Sequence, residues 1–342
     1  MSVLTQPREY LGASAVEAPV TFWTGGFDYS RYLRVEMPAA AMGAAVADPS
    51  LRPSNPLSLQ QGPVAIWQRV GTLARANLVS EQKANGIFTI LEVDDDYTVM
   101  HRDHGWVEKL TPDFPQDQGC VELHRMVAGY VDRVIVSTPA LQVVYAEFND
   151  DVVVCPNAID PAHWPDRLPC DDNRTTFAWL GSSDHLDERM MASHAFQPLR
   201  DRDDVRVVWF GIRPFAADDW IEHVPWTDDW FAWRKIAANM CVDVGVAFLN
   251  DAPMNRYRSD IKALEYCALG AMPVLQNAEP YEHLGSDMAI LCRSDEWRAT
   301  LAWCADDPEA VNLRAAVAIN EVFTRRTISQ HVHDWANAIR IV

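Results

Sequence analysis

The sequence predicts an α/β protein built from two doubly wound, Rossmann-like parallel sheets. Three observations lead to this fold class. Short apolar runs rich in β-branched residues alternate with longer segments of helical periodicity, the pattern occurs twice, and a proline-rich polar stretch separates the two halves. Strands that alternate with helices form parallel sheets with helices on both faces. A chain of 342 residues is long enough for two domains that each bury a core.

The first half contains five candidate strands with helical segments between them. The strands are predicted at Val20–Thr24, Val64–Gln68, Phe88–Val93, Arg133–Ser137 and Val152–Cys155. The helices are predicted at Tyr32–Ala47, Thr72–Ala84 and Val121–Tyr130. Apolar runs of this length, bounded by turn residues, indicate buried strands of a parallel sheet.

The second half repeats the same alternation. Its strands are predicted at Thr176–Leu180, Arg206–Phe210, Val242–Leu249, Met272–Gln276 and Ala289–Cys292. Its helices are predicted at Asp184–Arg202, Trp230–Met240 and Ile261–Leu269, and the segment from Arg314 to the C-terminus is again helical in pattern. A second doubly wound sheet follows.

A linker separates the two halves. Prolines and polar residues without helical or strand period occupy the stretch from Pro156 to Arg174, which is typical of a domain boundary. We therefore expect a first domain over residues 1–165 and a second over residues 166–320. Residues 321–342 are predicted to form a C-terminal helix that packs back on the first domain.

Charge and hydropathy exclude several classes of protein. The formal net charge of −19 disfavours nonspecific binding to nucleic acid, because the summed field repels polyanions. The sequence has no apolar run of the roughly 20 residues that a membrane span requires. The N-terminal residues lack the apolar core of a secretory signal, so a cytoplasmic protein is expected.

Seven cysteines are scattered along the chain without a C-x-x-C pair. An odd number at irregular spacing suggests neither a disulfide framework nor a zinc site. We expect these cysteines to be reduced and mostly buried.

The start of the helix after Val242–Leu249 has the features of an anion site. Ser259 is a candidate N-cap, and the N–H groups that follow it point out of the positive end of the helix, flanked by Arg258 and Lys262. Glu265 lies about 9 Å further along the axis, a spacing that suits a ribose next to a diphosphate. Spacing alone favours the simpler interpretation that Lys262 and Glu265 form an ion pair on an ordinary helix.

The stretch Asn255–Gly270, followed by Met272–Leu275, resembles the donor-binding signature of family 4 (group 1) glycosyltransferases with the GT-B fold. Members typically carry Lys-Ser-x-x-Lys-x-x-Glu-Tyr and then a Gly-x-Pro-Val strand, and only Arg258 departs from that core. The resemblance implies two Rossmann-like domains facing a cleft. It also implies metal-independent transfer, with retention of configuration, from a UDP- or GDP-linked sugar and no further cofactor.

The resemblance also assigns roles to individual residues. The helix start with Arg258, Ser259, Ile261 and Lys262 corresponds to the diphosphate site, and Glu265 to the residue that holds the ribose. Further members of the implied site are the donor loop Gly181, Ser182 and Ser183, a matching histidine at His185 and, on the acceptor side, Gly25 and Gly26.

Two features depart from the family pattern. Many members carry a glutamate eight residues before the position of Glu265, where this chain has Tyr257. In the family that glutamate approaches the sugar, so the identity of the sugar stays open. The donor loop also lacks an Arg-Lys pair, so the phosphate charge is expected to be met by Arg258 and Lys262.

An acidic run, Asp94-Asp95-Asp96, follows the third candidate strand. Alone it suggests a divalent metal site, since carboxylate oxygens suit Mg²⁺. Because the resembling enzymes generally need no metal, we expect no metal here and place Asp95 or Asp96 where it orients acceptor or sugar hydroxyls. Solvated loop acids that cap a following helix are an equal alternative.

The predicted activity is therefore glycosyl transfer, with Asp95, Asp96, His185 and Lys262 as the candidate catalytic residues. The acceptor stays open between a glycan, a small molecule and a modified nucleic acid, as in phage enzymes that glucosylate hydroxymethylated bases. A GT-B epimerase or hydrolase and a non-catalytic nucleotide-binding scaffold are the alternatives.

Overall fold

The computed structural model describes residues 19–24, 29–48, 56–98, 120–164, 173–181, 185 and 188–340. The chain divides into two compact units. One comprises Met1–Ala158 together with Ile328–Val342, and the other comprises Ile159–Thr327. The chain thus crosses between units after residues 158 and 327. The boundaries predicted from the sequence were after residues 165 and 320.

The first unit contains a parallel sheet of six described strands in the order β2-β1-β3-β4-β5-β6. The strands are β1 Val20–Trp23, β2 Ala45–Ala47, β3 Val64–Gln68, β4 Phe88–Val93, β5 Arg133–Val136 and β6 Val152–Val154. Every residue of β1, β3 and β5 is buried, because helices cover both faces of the sheet.

The second unit contains another parallel sheet of six described strands, in the order β12-β11-β10-β7-β8-β9. The strands are β7 Thr175–Gly181, β8 Val205–Gly211, β9 Glu222–Pro225, β10 Val244–Ala247, β11 Met272–Gln276 and β12 Ile290–Cys292. Counted within this unit, the order is that of a dinucleotide-binding Rossmann sheet, and it reverses between β7 and β10. Ligands of open parallel sheets bind at such a switch point, at the carboxyl ends of the strands.

Helices connect the strands of both sheets. The first, α1, runs through three consecutive segments, Tyr29–Arg31, a π-helical Tyr32–Glu36 and Met37–Met42. The others are α2 Leu73–Ala84, α3 Cys120–Tyr130, α4 Pro139–Tyr145, α5 Arg189–Phe196, α6 Trp230–Asn239, α7 Ile261–Ala268, α8 Gly285–Met288, α9 Trp297–Asp306, α10 Pro308–Arg325 and α11 Ile328–Ala338. Helix α11 belongs to the first unit.

One predicted helix ends earlier than expected, and strand β9 was not predicted. The helix predicted over Tyr32–Ala47 stops at Met42, and Ala45–Ala47 is strand β2. Gly43 ends the helix because it adopts φ 66°, and the N–H of Ala44 then bonds the carbonyl of Ala39 at 2.8 Å. Strand β9 was missed because it has no buried residue and therefore no apolar run.

Among the cysteines that the structure describes, all but Cys241 follow the prediction. Cys120, Cys155, Cys267, Cys292 and Cys304 are free and buried. Cys241, however, is disulfide-bonded, so the expectation that all cysteines are reduced was wrong. Spacing along the sequence cannot show which cysteines the fold brings together.

Helix α7 is held against the second sheet by Tyr266. Its ring lies on Gly245 of β10, where an added Cβ atom would come within 2.0 Å of the ring. Its hydroxyl donates to the carbonyl of Val246 at 2.6 Å and accepts the N–H of Leu180 at 3.2 Å. Since β7 and β10 flank the switch point, this one side chain sets the position of α7 beside it.

Replacing Gly245 by alanine is expected to lower the melting temperature by roughly 3–10 °C, because the new methyl group overlaps the Tyr266 ring. Thermal unfolding of Gly245→Ala, Tyr266→Leu and the double variant measures the effect. In the Tyr266→Leu background, Gly245→Ala should cost much less. An equal loss of melting temperature in both backgrounds would show that the contact with Tyr266 is not the reason why residue 245 is a glycine.

Candidate functional site

The carboxyl ends of β7 and β8 bring backbone unusually close to backbone. Gly211 ends β8 with φ 93°, and a Cβ atom there would lie 2.2 Å from the carbonyl oxygen of Gly181. The N–H of Ile212 bonds that same carbonyl at 2.9 Å. Gly181, the first residue of the predicted donor loop, ends β7, which is one of the two strands that flank the switch point. Ser182 and Ser183, the other two residues of that loop, lie outside the described residues.

The N-terminus of α7 differs from the prediction by one residue. Asp260 is the N-cap residue, and its carbonyl accepts the first helical bond, from the N–H of Ala263 at 2.9 Å. Ser259, the predicted N-cap, lies one residue earlier. The N–H groups of Ile261 and Lys262 precede that first bond, so they point out of the positive end of the helix.

The side chain of Asp260 does not cap the helix because other groups bind it. Arg326 donates two hydrogen bonds to its carboxylate, at 2.6 and 3.0 Å, and Nε2 of His283 lies 3.1 Å away. Burial would raise the pKa of Asp260, but the charge of Arg326 and the hydrogen bonds from His283 and Arg326 lower it to about 2. Asp260 is therefore ionised, and it ties the helix start to the end of α10.

Lys262 and Glu265 form the ion pair that spacing alone predicted. Nζ of Lys262 lies 2.9 Å from Oε2 of Glu265. The Glu265 side chain is 1% exposed and the Lys262 side chain 20%. A buried carboxylate that retains one partly exposed cation is a suitable acceptor for ligand hydroxyl groups.

His185 lies between a cation and an anion. NH1 of Arg258 is 3.2 Å from Nε2 and 3.3 Å from Nδ1 of the imidazole, and Oε2 of Glu188 is 3.6 Å from Nδ1. Burial lowers the pKa of His185 to about 4, with Arg258 and Lys262 acting in the same direction. The ring is therefore neutral at neutral pH.

The structure adds two residues that the sequence analysis missed. Glu188 is 1% exposed and receives a hydrogen bond from Nδ2 of Asn255 at 3.3 Å. Tyr281 is buried, and its pKa is raised, first by burial and then by the nearby carboxylates of Asp260, Glu265 and Glu188, against the charge of Arg258. In the sequence, the one signal for these residues is that Glu188 lies three residues after His185. Tyr281 has no such signal.

The acidic run after β4 lies in the first unit and is largely bonded to protein groups. Arg69 binds Asp94 through two hydrogen bonds, at 3.0 and 2.7 Å. Asp96 is 1% exposed and accepts the N–H and hydroxyl of Thr98 at 2.9 and 2.6 Å. Asp95 is partly exposed. The predicted acceptor residues Gly25 and Gly26 lie outside the described residues.

Within the described ranges, no group of three or more His, Cys, Asp or Glu side chains is placed to hold a metal ion. In that part of the chain, no helix combines the length and apolar content needed to cross a bilayer.

The sequence matches no protein-family model and no curated protein sequence. Solved structures do match. A glycosyltransferase from Rickettsia africae ESF-5 aligns with 94% of this chain and 97% of its own, with a TM-score of 0.63 and 9% identity. An alpha-glucosyltransferase solved with UDP and a 13-mer DNA aligns with 94% of this chain and 98% of its own, with a TM-score of 0.61 and 11% identity.

TarM from S. aureus, solved with Fondaparinux, alpha-GlcNAc-glycerol and UDP, aligns with 81% of this chain, with a TM-score of 0.55 and 8% identity. The alignment covers 55% of TarM, so this chain spans about half the length of that protein. Identities this low show the fold alone. The chain has the GT-B glycosyltransferase fold, with two Rossmann-like units, which confirms the fold class predicted from the sequence.

The contact between Asp260 and Arg326 gives a pH-dependent prediction. Because the folded protein holds the pKa of Asp260 below its ordinary 3.8, the ionised carboxylate stabilises the fold above that value and loses this effect as pH falls toward 2. Asp260→Asn should therefore melt lower than the native protein near neutral pH, and the difference should shrink below pH 3.8. Thermal unfolding of both proteins over this range is the measurement. A constant difference would contradict the assigned pKa.

Proposed function

We propose that this protein is a glycosyltransferase that binds a nucleoside diphosphate sugar in its second unit and transfers the sugar to an acceptor hydroxyl. One observation carries the proposal: Arg258, Lys262 and Glu265 surround the N-terminal part of α7, beside the switch point of a Rossmann sheet. The UDP in the structures of the alpha-glucosyltransferase and TarM supports a nucleotide sugar as donor.

The diphosphate is assigned to the N-terminus of α7. The N–H groups of Ile261 and Lys262 and the positive end of the helix favour phosphate oxygens there. Arg258 and Lys262 add formal charge, as the resemblance in the sequence implies. Ser259, immediately before the cap, supplies a hydroxyl at the same end.

The ribose is assigned to Glu265. This carboxylate lies about 7 Å along the helix axis from Asp260, the separation expected between a diphosphate and the ribose hydroxyls that follow it. The hydrogen bond from Lys262 orients Glu265 in its buried position, so that its carboxylate oxygens can accept hydrogen bonds from a vicinal diol.

Transfer needs no residue that becomes covalently attached to the sugar. The bond between the anomeric carbon and the diphosphate oxygen breaks, and a bond to the acceptor oxygen forms. The acceptor proton passes to the leaving diphosphate. Arg258, Lys262 and the helix N-terminus stabilise the charge that develops on the diphosphate. Departure and attack on the same face retain the configuration, which the resemblance implies.

The candidate residues have different places in this mechanism. Lys262 and His185 lie beside the proposed diphosphate. Asp95, partly exposed after β4, is the better candidate for orienting a hydroxyl group. The carboxylate of Asp96 shapes the loop through Thr98.

A modified nucleic acid is a second candidate acceptor. The alpha-glucosyltransferase solved with DNA matches this chain over nearly the full length of both proteins, which favours it. The net charge of −19 opposes it, since phosphate backbones are repelled at low salt.

Donor binding tests the assigned residues. Glu265→Ala and Lys262→Ala should each weaken the binding of UDP or GDP by roughly tenfold or more, because each removes a charged partner of the nucleotide. Isothermal titration calorimetry of both nucleotides measures this effect. Glu321→Ala, which breaks an exposed ion pair with Arg325 on α10, is the matched control and should bind normally. If Glu265→Ala bound UDP and GDP as tightly as the native protein, the assignment of the nucleotide site to α7 would be wrong.

Turnover tests the reaction itself. Diphosphate release from UDP- and GDP-sugars should require an acceptor, retain the anomeric configuration by NMR and persist in EDTA, since Arg258 and Lys262 carry the charge that a metal would otherwise carry. The acceptor panel should include glycans, small alcohols and hydroxymethylated DNA. Release without any acceptor would indicate a hydrolase or epimerase. Binding without release would indicate a non-catalytic scaffold.

A further inference from the structure

Glu188 has a buried carboxylate oxygen without a hydrogen-bond partner. The residue is 1% exposed, and its Oε1 accepts the bond from Asn255. Within the described chain, Oε2 has no partner. Glu188 is also the N-cap residue of α5, but its side chain does not cap that helix. A buried ionised oxygen left unsatisfied is costly, so its presence requires an explanation.

The imidazole of His185 lies close to that oxygen, with Nδ1 at 3.6 Å. This distance is slightly too long for a hydrogen bond, and a small rotation of either side chain would close it. The same imidazole also contacts NH1 of Arg258, at 3.3 Å from Nδ1 and 3.2 Å from Nε2. His185 is therefore next to both a carboxylate oxygen that lacks a donor and the guanidinium assigned to the diphosphate.

Both members of the pair are held in place by the fold. Asn255, which binds Glu188, is itself fixed by bonds to the carbonyl and the side-chain oxygen of Asn250, at 3.1 and 2.8 Å. The Cβ of His185 packs against Gly181 at the end of β7. The near approach of the carboxylate and the imidazole is thus built into the carboxyl edge of the sheet.

The charges around His185 keep it neutral when no ligand is bound. Glu188 at the start of α5 favours the protonated ring, and Arg258 and Lys262, the latter on α7, oppose it together with burial. A diphosphate bound at Arg258 and Lys262 would neutralise both cations and add negative charge nearby. The balance then shifts toward the imidazolium, for which Glu188 is a ready partner.

We infer that His185 and Glu188 form a proton-uptake pair that responds to the donor: binding of a nucleoside diphosphate beside Arg258 draws one proton from solvent onto His185, and Glu188 accepts a hydrogen bond from the imidazolium. The inference rests on the proposed function. No covalent bond to the donor is made or broken in this step. Glu188 is a positioning residue, since it acts on the ligand through His185.

Calorimetric titration of the full-length protein with UDP, and separately with GDP, tests the pair. Repeating each titration in buffers of different ionisation enthalpy gives the number of protons taken up per nucleotide bound. Because the terminal phosphate of a nucleoside diphosphate also titrates near pH 6, the uptake assigned to His185 is the difference between the native protein and His185→Gln. We expect this difference to approach about one proton at about pH 6 and to be small at about pH 8. Glu188→Gln should reduce it to about half or less.

Two further variants separate this role from a purely structural one. Glu188→Asp keeps the charge and should restore part of the uptake lost in Glu188→Gln. His194→Gln changes an exposed histidine of α5 and should match the native protein. Thermal unfolding of each variant shows that it is folded, and if Glu188→Gln fails to fold, His185→Gln and Glu188→Asp decide the outcome.

The two possible failures differ in what is observed. If either nucleotide binds with no difference in proton uptake between the native protein and His185→Gln, or if uptake is the same in Glu188→Gln as in the native protein, the proton-uptake pair is wrong and the proposed function stands. If neither UDP nor GDP binds to the native protein, the proposed donor site is wrong and the pair is overturned with it.

Discussion

The fully buried guanidinium of Arg34 organises the first unit. It binds Glu92 of β4 at 2.6 Å, the carbonyl of Cys155 at 2.7 Å and the side-chain oxygen of Asn157 at 3.0 Å, and it lies 4.9 Å from the ring centroid of Trp335 on α11. A buried charge is costly unless several partners compensate it. These partners come from β4, from the chain after β6 and from the C-terminal helix. Arg34, from the π-helical turn of α1, thus helps to hold α11 in the first unit, together with the hydrogen bond from Arg133 to the carbonyl of Ala338.

In the second unit, an arginine–carboxylate pair holds the start of α7 in a similar way. Arg326 binds Asp260 through its side chain, and its carbonyl accepts the N–H of Ile159 at 2.9 Å. Ile159 and Thr327 also form a parallel bridge. The last residues of this unit, Arg326 and Thr327, thus pair with its first residue, Ile159. Arg326 also binds Asp260, the N-cap residue of α7. Tyr266 fixes the same helix from the side of the sheet. The helix is therefore constrained from two directions, which keeps its N–H groups in place before any ligand binds.

The site shows how a negatively charged protein can accept an anion. Lys262 is paired with Glu265, and Arg258 lies beside a neutral histidine rather than next to a second cation. Both cations come from the chain around the start of α7, whereas the net charge of −19 belongs to the chain as a whole. Tyr257 stands where the resembling family has a glutamate, and Asn255, two residues earlier, binds the buried carboxylate of Glu188 at the start of α5. In the proposed function, attraction of the donor is therefore a property of one helix end and its neighbours.

The sequence by itself determined the fold class and the position of α7, the helix to which we assign the donor, because both follow from local patterns. Buried parallel strands require apolar runs, and the basic residues around the start of α7 and Glu265 are close in sequence as well as in space. Only the tertiary structure decided which residue caps α7, that Asp94 is paired with Arg69, and that Glu188 lies beside His185. The partners involved, such as Arg326 and Asn255, are distant in sequence from the groups they bind. Such contacts form when sheets and helices pack against one another, and the periodicity of a single segment does not predict them.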